Sequence, residues 1–189
     1  MTDTNSLDVK ERAREHSTGE LTPSEYEALN HYRADWADVA ATAEHRVFVL
    51  GSFAEDDVRR VNEVKEYVNQ RAGDGLVAYR MDDFVQTEQQ QLNALLKFKL
   101  LADDSDQIVL VCEHDRGGQV VEQVLLVESS AYRNKTHILK RRYPDEEEKE
   151  HYSWMQSNGV FEVFSRHGHV HEWRSPEAFS ETVELLFDS

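Results

Sequence analysis

The chain has 189 residues, and 37 acidic against 21 basic side chains give it a formal net charge of −16 at pH 7. That length suits one domain, the single cysteine excludes a disulfide framework or a multi-cysteine zinc site, and the acidic excess argues against nucleic-acid binding because phosphate contacts need clustered Lys and Arg. Every apolar run is far shorter than the about 20 residues of a membrane span, and the N-terminus has no signal-peptide pattern, so we expect a cytoplasmic protein without a membrane partner.

The acidic residues are spread along the whole chain, which is typical of proteins from salt-in halophiles. At about 1 M salt the Debye length is near 3 Å, so uncompensated charges hardly repel one another. At low ionic strength the same charges would destabilise the compact state. The composition therefore predicts a halophilic protein of archaeal type, and an ordinary acidic cytosolic protein is the alternative.

Residues 1–44 are predicted to form an N-terminal helical extension. A short helix is expected from Leu7 to His16. A second helix begins after Thr22, because Thr can cap it, Pro23 suits its first position and Glu25 can complete a capping box. Aromatic and apolar residues then recur at helical spacing. We expect this helix to pack on the main domain or on a second subunit.

From residue 45 onward, apolar strands alternate with amphipathic helices. The predicted strands are Arg46–Leu50, Leu76–Met81, Gln107–Cys112 and Thr136–Lys140. The predicted helices are Glu55–Gln70, Glu88–Ala102 with Thr87 as its cap, and Gln119–Tyr132. Continuously apolar strands separated by helices indicate a parallel sheet covered on both faces. The fold class is therefore α/β: a three-layer, Rossmann-like or flavodoxin-like, mostly parallel sheet over residues 45–189.

The C-terminal part has a different pattern. An acidic helix is expected over Pro144–Ser157. Val160–Phe164 and His169–Trp173 are predicted to form a hairpin around a turn that contains Gly168, and a final helix begins after Ser175. The predicted architecture thus ends in a hairpin plus a helix.

The candidate site lies where the strands end, because ligands of such sheets bind at the C-terminal strand edge. Glu122 falls in the first turn of a helix that follows an apolar strand and Gly117-Gly118. A cleft carboxylate at this position can act as nucleophile or general base toward an anomeric carbon. The other candidate contacts follow the first two strands: Gly51, Ser52, Phe53, Asp82 and Asp83.

Each candidate also has a plain structural explanation. A Glu in a first helical turn gains about 0.3–1 kcal/mol from the helix dipole without any ligand. Gly51 and Ser52 can form a tight turn whose backbone approaches a ligand, while Asp82 and Asp83 can belong to a solvated turn. These alternatives stay open here.

Histidines form the other candidate cluster. His151, His167, His169 and His171 could recruit Zn²⁺. The turn at Gly168 removes His167 from the strand, however, and no carboxylate stands at ligand spacing. We therefore expect no metal site and no cofactor.

Four segments in chain order form a recognisable pattern: Val47–Phe53, Asp106 before the third strand, Gly118–Glu122, and Asn158-Gly159 followed by the closing helix. They resemble the first strand and its Gly-containing loop, an Asp, a Gly-Thr-x-x-Glu segment and the C-terminal region of the nucleoside 2-deoxyribosyltransferase-like proteins. That family belongs to the group that also contains TIR and SLOG domains. The resemblance spans about residues 46–187 and is to divergent members of unknown function.

The resemblance implies a role for each candidate residue. Glu122 would attack C1′ of a nucleoside or nucleotide, as in an N-glycosidase or deoxyribosyltransferase. Asp82 or Asp83 would hold the base or sugar, and the Gly117-Gly118 backbone would receive a polar group of the substrate. Because the family's C-terminal region reaches the neighbouring subunit's site, a homo-oligomer is implied as well.

Three positions depart from the family pattern. Phe48 stands where the family has a Tyr that positions the glutamate, Gln119 replaces the Thr, and Val124–Leu126 replaces Gly-Tyr-Ala. These departures favour a second hypothesis, a catalytically silent ligand-sensing or protein-interaction module of the same fold. A third is a purely structural dimer with a vestigial cleft.

Overall fold

A five-stranded parallel sheet forms the centre of the protein, in a computed structural model that describes residues 4–17, 19–52, 58–84, 92–115 and 119–188. The strands are β1 (His45–Leu50), β2 (Leu76–Tyr79), β3 (Gln107–Cys112), β4 (Thr136–Arg141) and β5 (Val170–Trp173). Their order is β2-β1-β3-β4-β5, and every neighbouring pair is parallel. The predicted α/β class with a mostly parallel, Rossmann-like sheet is confirmed.

Helices cover both faces of this sheet. They are α1 (Thr4–His16), α2 (Pro23–Thr42), α3 (Val58–Gln70), α4 (Ala94–Asp104), α5 (Gln119–Glu128), α6 (Ser130–Arg133), α7 (Asp145–His151), a π-helix (Gln156–Phe161), α8 (Glu162–Ser165) and α9 (Pro176–Phe187). None of the helices within the described ranges combines the length and apolar character needed to cross a bilayer.

The central strand β3 explains why the core has two halves. Ile108, Leu110 and Cys112 point into one hydrophobic cluster, whereas Val109 and Val111 point into the other, because successive side chains of a strand alternate between faces. Helices α3 and α9 close the Val109 face with these buried side chains: Val61, Val64, Val68, Phe179 and Val183. The opposite cluster includes side chains of α2, α4, α5, the π-helix and α8: Trp36, Leu96, Leu126, Phe161 and Phe164.

The N-terminal helices belong to that second cluster. Trp36 of α2 meets the ring of Tyr79 edge-on, with 5.1 Å between ring centroids. The capping box predicted for α2 is present: the Glu25 N–H donates to Thr22 Oγ1 over 3.2 Å, and the Thr22 N–H donates to Glu25 Oε2 over 2.8 Å. Helix α2 thus packs on the sheet domain, one of the two positions expected for it, while the domain boundary at residue 44 stays a prediction.

Several predicted boundaries are wrong for local reasons. Helix α4 begins only at Ala94, because the Asn93 side chain accepts from the Leu95 N–H and caps the helix there; Thr87 lies outside the described residues. The helix predicted over Gln119–Tyr132 is divided at Ser129, whose hydroxyl accepts from the Tyr132 N–H and starts α6.

The predicted C-terminal hairpin is also wrong. Phe161 and Phe164, three residues apart, are buried on one side of a helical segment, and β5 pairs in parallel with β4. Gly168 has a φ of 73°, and the His169 N–H donates to the Phe164 carbonyl over 3.0 Å. This hydrogen bond closes a helix C-terminus. A left-handed glycine ends a helix as readily as it turns a hairpin, so the local signal was ambiguous.

Replacing Gly168 with Ala tests this helix end. We expect Gly168→Ala to lower the free energy of unfolding by about 1 kcal/mol, because Ala is strained at positive φ. Gly159→Ala is the matched control: an added Cβ there meets nothing within 4 Å, and Ala is the better helix former. Denaturant titration of both variants should give opposite signs, and equal effects would contradict the assignment.

Candidate functional site

The candidate site lies where the winding of the chain reverses. After β1 the chain enters α3 on one face of the sheet, and after β3 it enters α5 on the opposite face. Adjacent strands whose connections leave in opposite directions create a crevice at their C-terminal ends. Gly51 and Ser52 follow β1 at this edge, and Glu122 lies in the first turn of α5 beyond β3.

Glu122 has the most unusual environment of the predicted site residues that the structure describes. Its side chain is half-buried, and its Oε2 atom has no solvent contact and no hydrogen-bond partner among the described residues. Burial raises the pKa of the Glu122 carboxyl from 4.5 to about 7, because desolvation penalises the charged form. A carboxyl with such a pKa changes its charge near neutral pH and suits proton transfer or nucleophilic attack.

Cys112 lies close to this carboxyl, at the end of β3. It is a free, buried thiol, and Gln123 Nε2 donates to its Sγ over 3.7 Å. Burial, together with the negative charges of Glu122 and Asp115, raises the pKa of Cys112. A thiol of this kind stays protonated, as the sequence led us to expect, and is a poor nucleophile.

Gly51 is required by packing at the same edge. A Cβ added to Gly51 would lie 2.5 Å from Val61 Cγ2 and 3.3 Å from the Val111 carbonyl oxygen. The glycine therefore lets α3 approach the ends of β1 and β3, while its contact with a ligand stays a prediction. Ser52 is half-buried beside it.

Three other predicted site residues, Phe53, Gly117 and Gly118, lie outside the described residues.

Asp82 and Asp83 belong to a 3-10 turn after the edge strand β2. Asp82 Oδ1 accepts from Arg80 Nε over 2.8 Å, and Asp83 Oδ2 accepts from the Arg80 N–H over 2.7 Å. Asp83 also forms an ion pair with Lys65 of α3. Both acids are exposed and neutralised by nearby cations, and β1 separates their strand from β3. Asp82 and Asp83 therefore follow a strand that is not adjacent to β3, the strand that leads to Glu122.

The loop Glu113-His114-Asp115 does not converge on one point, as expected for adjacent residues. Glu113 accepts from Arg141 over 2.8 Å. His114 Nδ1 lies 3.2 Å from Nδ1 of His151, and the Asp115 N–H donates to the His151 carbonyl over 2.7 Å. These contacts tie the end of β3 to α7 and leave the loop in a structural role.

The histidines are divided between two places. His151 lies beside His114, whereas His137, His169 and His171 cluster at the start of β4 and β5, with His137 Nδ1 3.0 Å from His171 Nε2. Burial and the charges of the two neighbours lower the pKa of His137 to about 4. Within the described residues, no group of three or more His, Cys, Asp or Glu side chains could hold a metal ion.

Asp106 also lies at the N-terminal strand edge, away from Glu122. Its carboxylate accepts from the Arg46 backbone N–H and from Arg46 Nε, each over 2.9 Å. This pairing joins the start of β3 to β1 and gives Asp106 a structural role.

One residue of chemical interest, Gln156, was not predicted from the sequence. Gln156 is only 2% exposed, and neither its Oε1 nor its Nε2 has a partner among the described residues. Gln156 and Phe161 are the buried residues of the π-helix, but no local sequence pattern indicates an unpaired amide.

The parallel sheet, its 2-1-3-4-5 strand order and the crevice at the winding reversal define a Rossmann-like α/β domain. More specifically, the chain belongs to DUF8170, a family of unknown function, whose family model matches residues 5–151. The match covers α1 to α7 and β1 to β4, and therefore includes Glu122. No curated protein matches the chain at a significant level.

The buried carboxyl of Glu122 predicts a pH-dependent cost to stability. The folded pKa of Glu122 is about 7, above the unfolded value of 4.5. The stability that this carboxyl contributes to the fold is therefore fully present below pH 4.5 and is lost as the pH rises through 7. We expect the free energy of unfolding of Glu122→Gln, relative to the wild type, to increase by about 3 kcal/mol between pH 4 and pH 8. Denaturant titrations across this range measure the difference. Exposed Glu181→Gln is the control, and parallel curves for both variants would contradict the burial of Glu122.

Substituting Gly51 tests whether packing against Val61 requires a glycine at this position. Gly51→Ala should destabilise the protein by about 1–3 kcal/mol, because the added methyl group overpacks the contact with Val61. In the Gly51→Ala/Val61→Ala double variant the two costs should be less than additive by at least about 0.5 kcal/mol. Urea unfolding of all four proteins measures this coupling; full stability of Gly51→Ala would show that no packing constraint exists there.

Proposed function

We propose that this domain binds a nucleoside or nucleotide in the crevice between the C-terminal ends of β1 and β3, and that Glu122 cleaves or transfers at the N-glycosidic bond. The observation that carries the proposal is the Glu122 carboxyl, which is half-buried at that edge with an unpaired oxygen among the described residues. The resemblance of the surrounding segments to nucleoside 2-deoxyribosyltransferase-like proteins supports the choice of substrate.

Three other described acids that follow the strands are less suited to attack a substrate. Glu113 is bound to Arg141, Asp82 to Arg80, and Asp83 to Lys65. An ion-paired carboxylate is a weaker nucleophile, because its negative charge is already stabilised. Glu122 forms no ion pair within the described part of the chain.

The chemistry proposed for Glu122 is covalent catalysis. Its ionised oxygen forms a bond to C1′ while the C1′–N bond breaks, and the bonding electron pair leaves with the base, which takes up a proton. Water or an acceptor base then attacks C1′ and releases the carboxylate. Desolvation makes the carboxylate more basic, which favours bond formation once the group is ionised above pH 7.

A catalytically silent binding module is the second candidate, and Phe48 favours it. The Phe48 ring is fully buried and stacks on Tyr79, with 5.5 Å between centroids. Phe48 has no hydroxyl with which to position a glutamate, whereas the resembled family has a Tyr at this position. In this alternative the same crevice binds the nucleoside, and no bond is broken.

The conditions of the reaction follow from the charge. We infer that the protein works in molar salt inside a halophilic cell, because a net charge of −16 needs strong screening. The homo-oligomer implied by the resemblance is part of the same proposal, because a partner's C-terminal region would complete the crevice.

Base release from nucleosides, nucleotides and NAD in molar KCl tests the enzymatic proposal. Glu122→Gln should lower kcat/KM at least about 100-fold, while Glu181→Gln, the same change on the exposed side of α9, should leave it unchanged. In the wild type, kcat/KM should rise with pH through about 7, since the nucleophile must be ionised.

The outcomes separate the candidates. Equal rates in the wild type and Glu122→Gln would reject the nucleophile. Nucleoside binding by calorimetry without base release, retained in Glu122→Gln, would select the silent module. Absence of both binding and turnover would reject the nucleoside site altogether.

A further inference from the structure

A second concave site lies on another side of α5. A cavity of about 350 Å³ opens between α5 and the π-helix. Its walls include Val120, Val124 and Val127 from α5 and Val160 from the π-helix. The volume falls within the range of small-molecule pockets, which are mostly apolar with a few convergent polar groups.

Gln156 is a lining residue of this cavity whose side-chain amide is buried and unpaired among the described residues. Only 2% of the residue is exposed. A buried amide without hydrogen bonds is destabilising, and such groups are rare in folded proteins. The amide therefore has a donor group and an acceptor group, side by side and without described partners, at the wall of the cavity.

We propose that this cavity binds a small apolar molecule with an amide or lactam edge, recognised by Gln156 through two hydrogen bonds. Gln156 Nε2 donates to the ligand carbonyl, and Gln156 Oε1 accepts from the ligand N–H. The valine walls receive the apolar body of the ligand.

Charge narrows the ligand class further. Asp115 and Glu128 line the cavity, and none of the lining residues that the structure describes is Lys or Arg. The negative charges of these two acids repel anions and disfavour phosphates and carboxylates as ligands. A neutral lactam is the ligand that fits both the amide and the charge.

The cavity is distinct from the crevice proposed for nucleosides. Glu122 does not line it, whereas the next residue, Gln123, does. Neighbouring positions on a helix point about 100° apart, so α5 turns these two side chains toward different spaces. A failure at one site therefore leaves the other proposal intact.

Two lactams with matched shapes test the recognition: quinolin-2(1H)-one, which has an N–H beside its carbonyl, and its N-methyl derivative, which lacks the donor. Calorimetry or NMR titration should give wild-type binding of the first at least about tenfold tighter than of the second, one lost hydrogen bond being worth about a factor of ten. Gln156→Leu should bind both equally. Its Tm should rise by about 2 °C or more, because the unpaired amide is gone.

Gly159→Leu provides an independent variant. An added Cβ at Gly159 meets nothing within 4 Å, and Gly159 lines the cavity, so leucine should fill the space and weaken both lactams at least about tenfold. Glu122→Gln should leave lactam binding unchanged.

Absence of wild-type binding, equal affinity for the two lactams, or discrimination retained in Gln156→Leu would each overturn the proposal. Should Gln156→Leu fail to fold, the lactam pair on the wild type and Gly159→Leu still decides it.

Discussion

The register between β1 and β3 is the constraint on which the site depends. Leu50, the last residue of β1, pairs with Leu110, so β3 continues for two residues beyond it to Cys112. The chain after β1 therefore passes beside Val111, where only a glycine fits between the sheet and α3.

The two ends of the sheet differ in how their polar groups are satisfied. At the N-terminal edge, Asp106 binds Arg46, and Lys135 Nζ donates to the carbonyls of Ala102 and Ser105 over 2.6 Å each. These contacts hold strand starts and helix ends together. At the C-terminal edge, the Glu122 oxygen is buried without a described partner. Unpaired buried groups destabilise a fold, so the buried Glu122 oxygen is a cost to stability at this edge.

Among the described residues, Glu122 and Gln156 are two of the buried polar side chains with unpaired atoms. Glu122 lies in the first turn of α5, and Gln156 lines the cavity between α5 and the π-helix. A π-helix widens the backbone by one residue per turn and is often found at functional sites. In this protein it carries Gln156 at its start and Gly159 within it, so the polar group and the open space of the cavity come from the same irregularity.

The apolar blocks and their flanking residues were sufficient to predict the fold class. Gln107–Cys112 forms the strand predicted for it, because its five consecutive apolar residues, Ile108–Cys112, suit a strand that is buried on both faces of a parallel sheet. The sequence signal for the start of α2 after its cap Thr22 was equally local, because a capping box involves residues only three apart. The position of Glu122 in a first helical turn followed from the same kind of pattern.

Tertiary contacts alone decided the rest. Val160–Phe164 is rich in the β-branched and aromatic residues that favour strands. Phe161 and Phe164 are nevertheless buried in one cluster, and this long-range packing selects a helix. The same holds for β5, whose partner β4 lies about 30 residues earlier in the chain. Whether a polar group is buried and unpaired depends on neighbours from several elements, so neither the raised pKa of Glu122 nor the isolated amide of Gln156 could be derived from the order of residues.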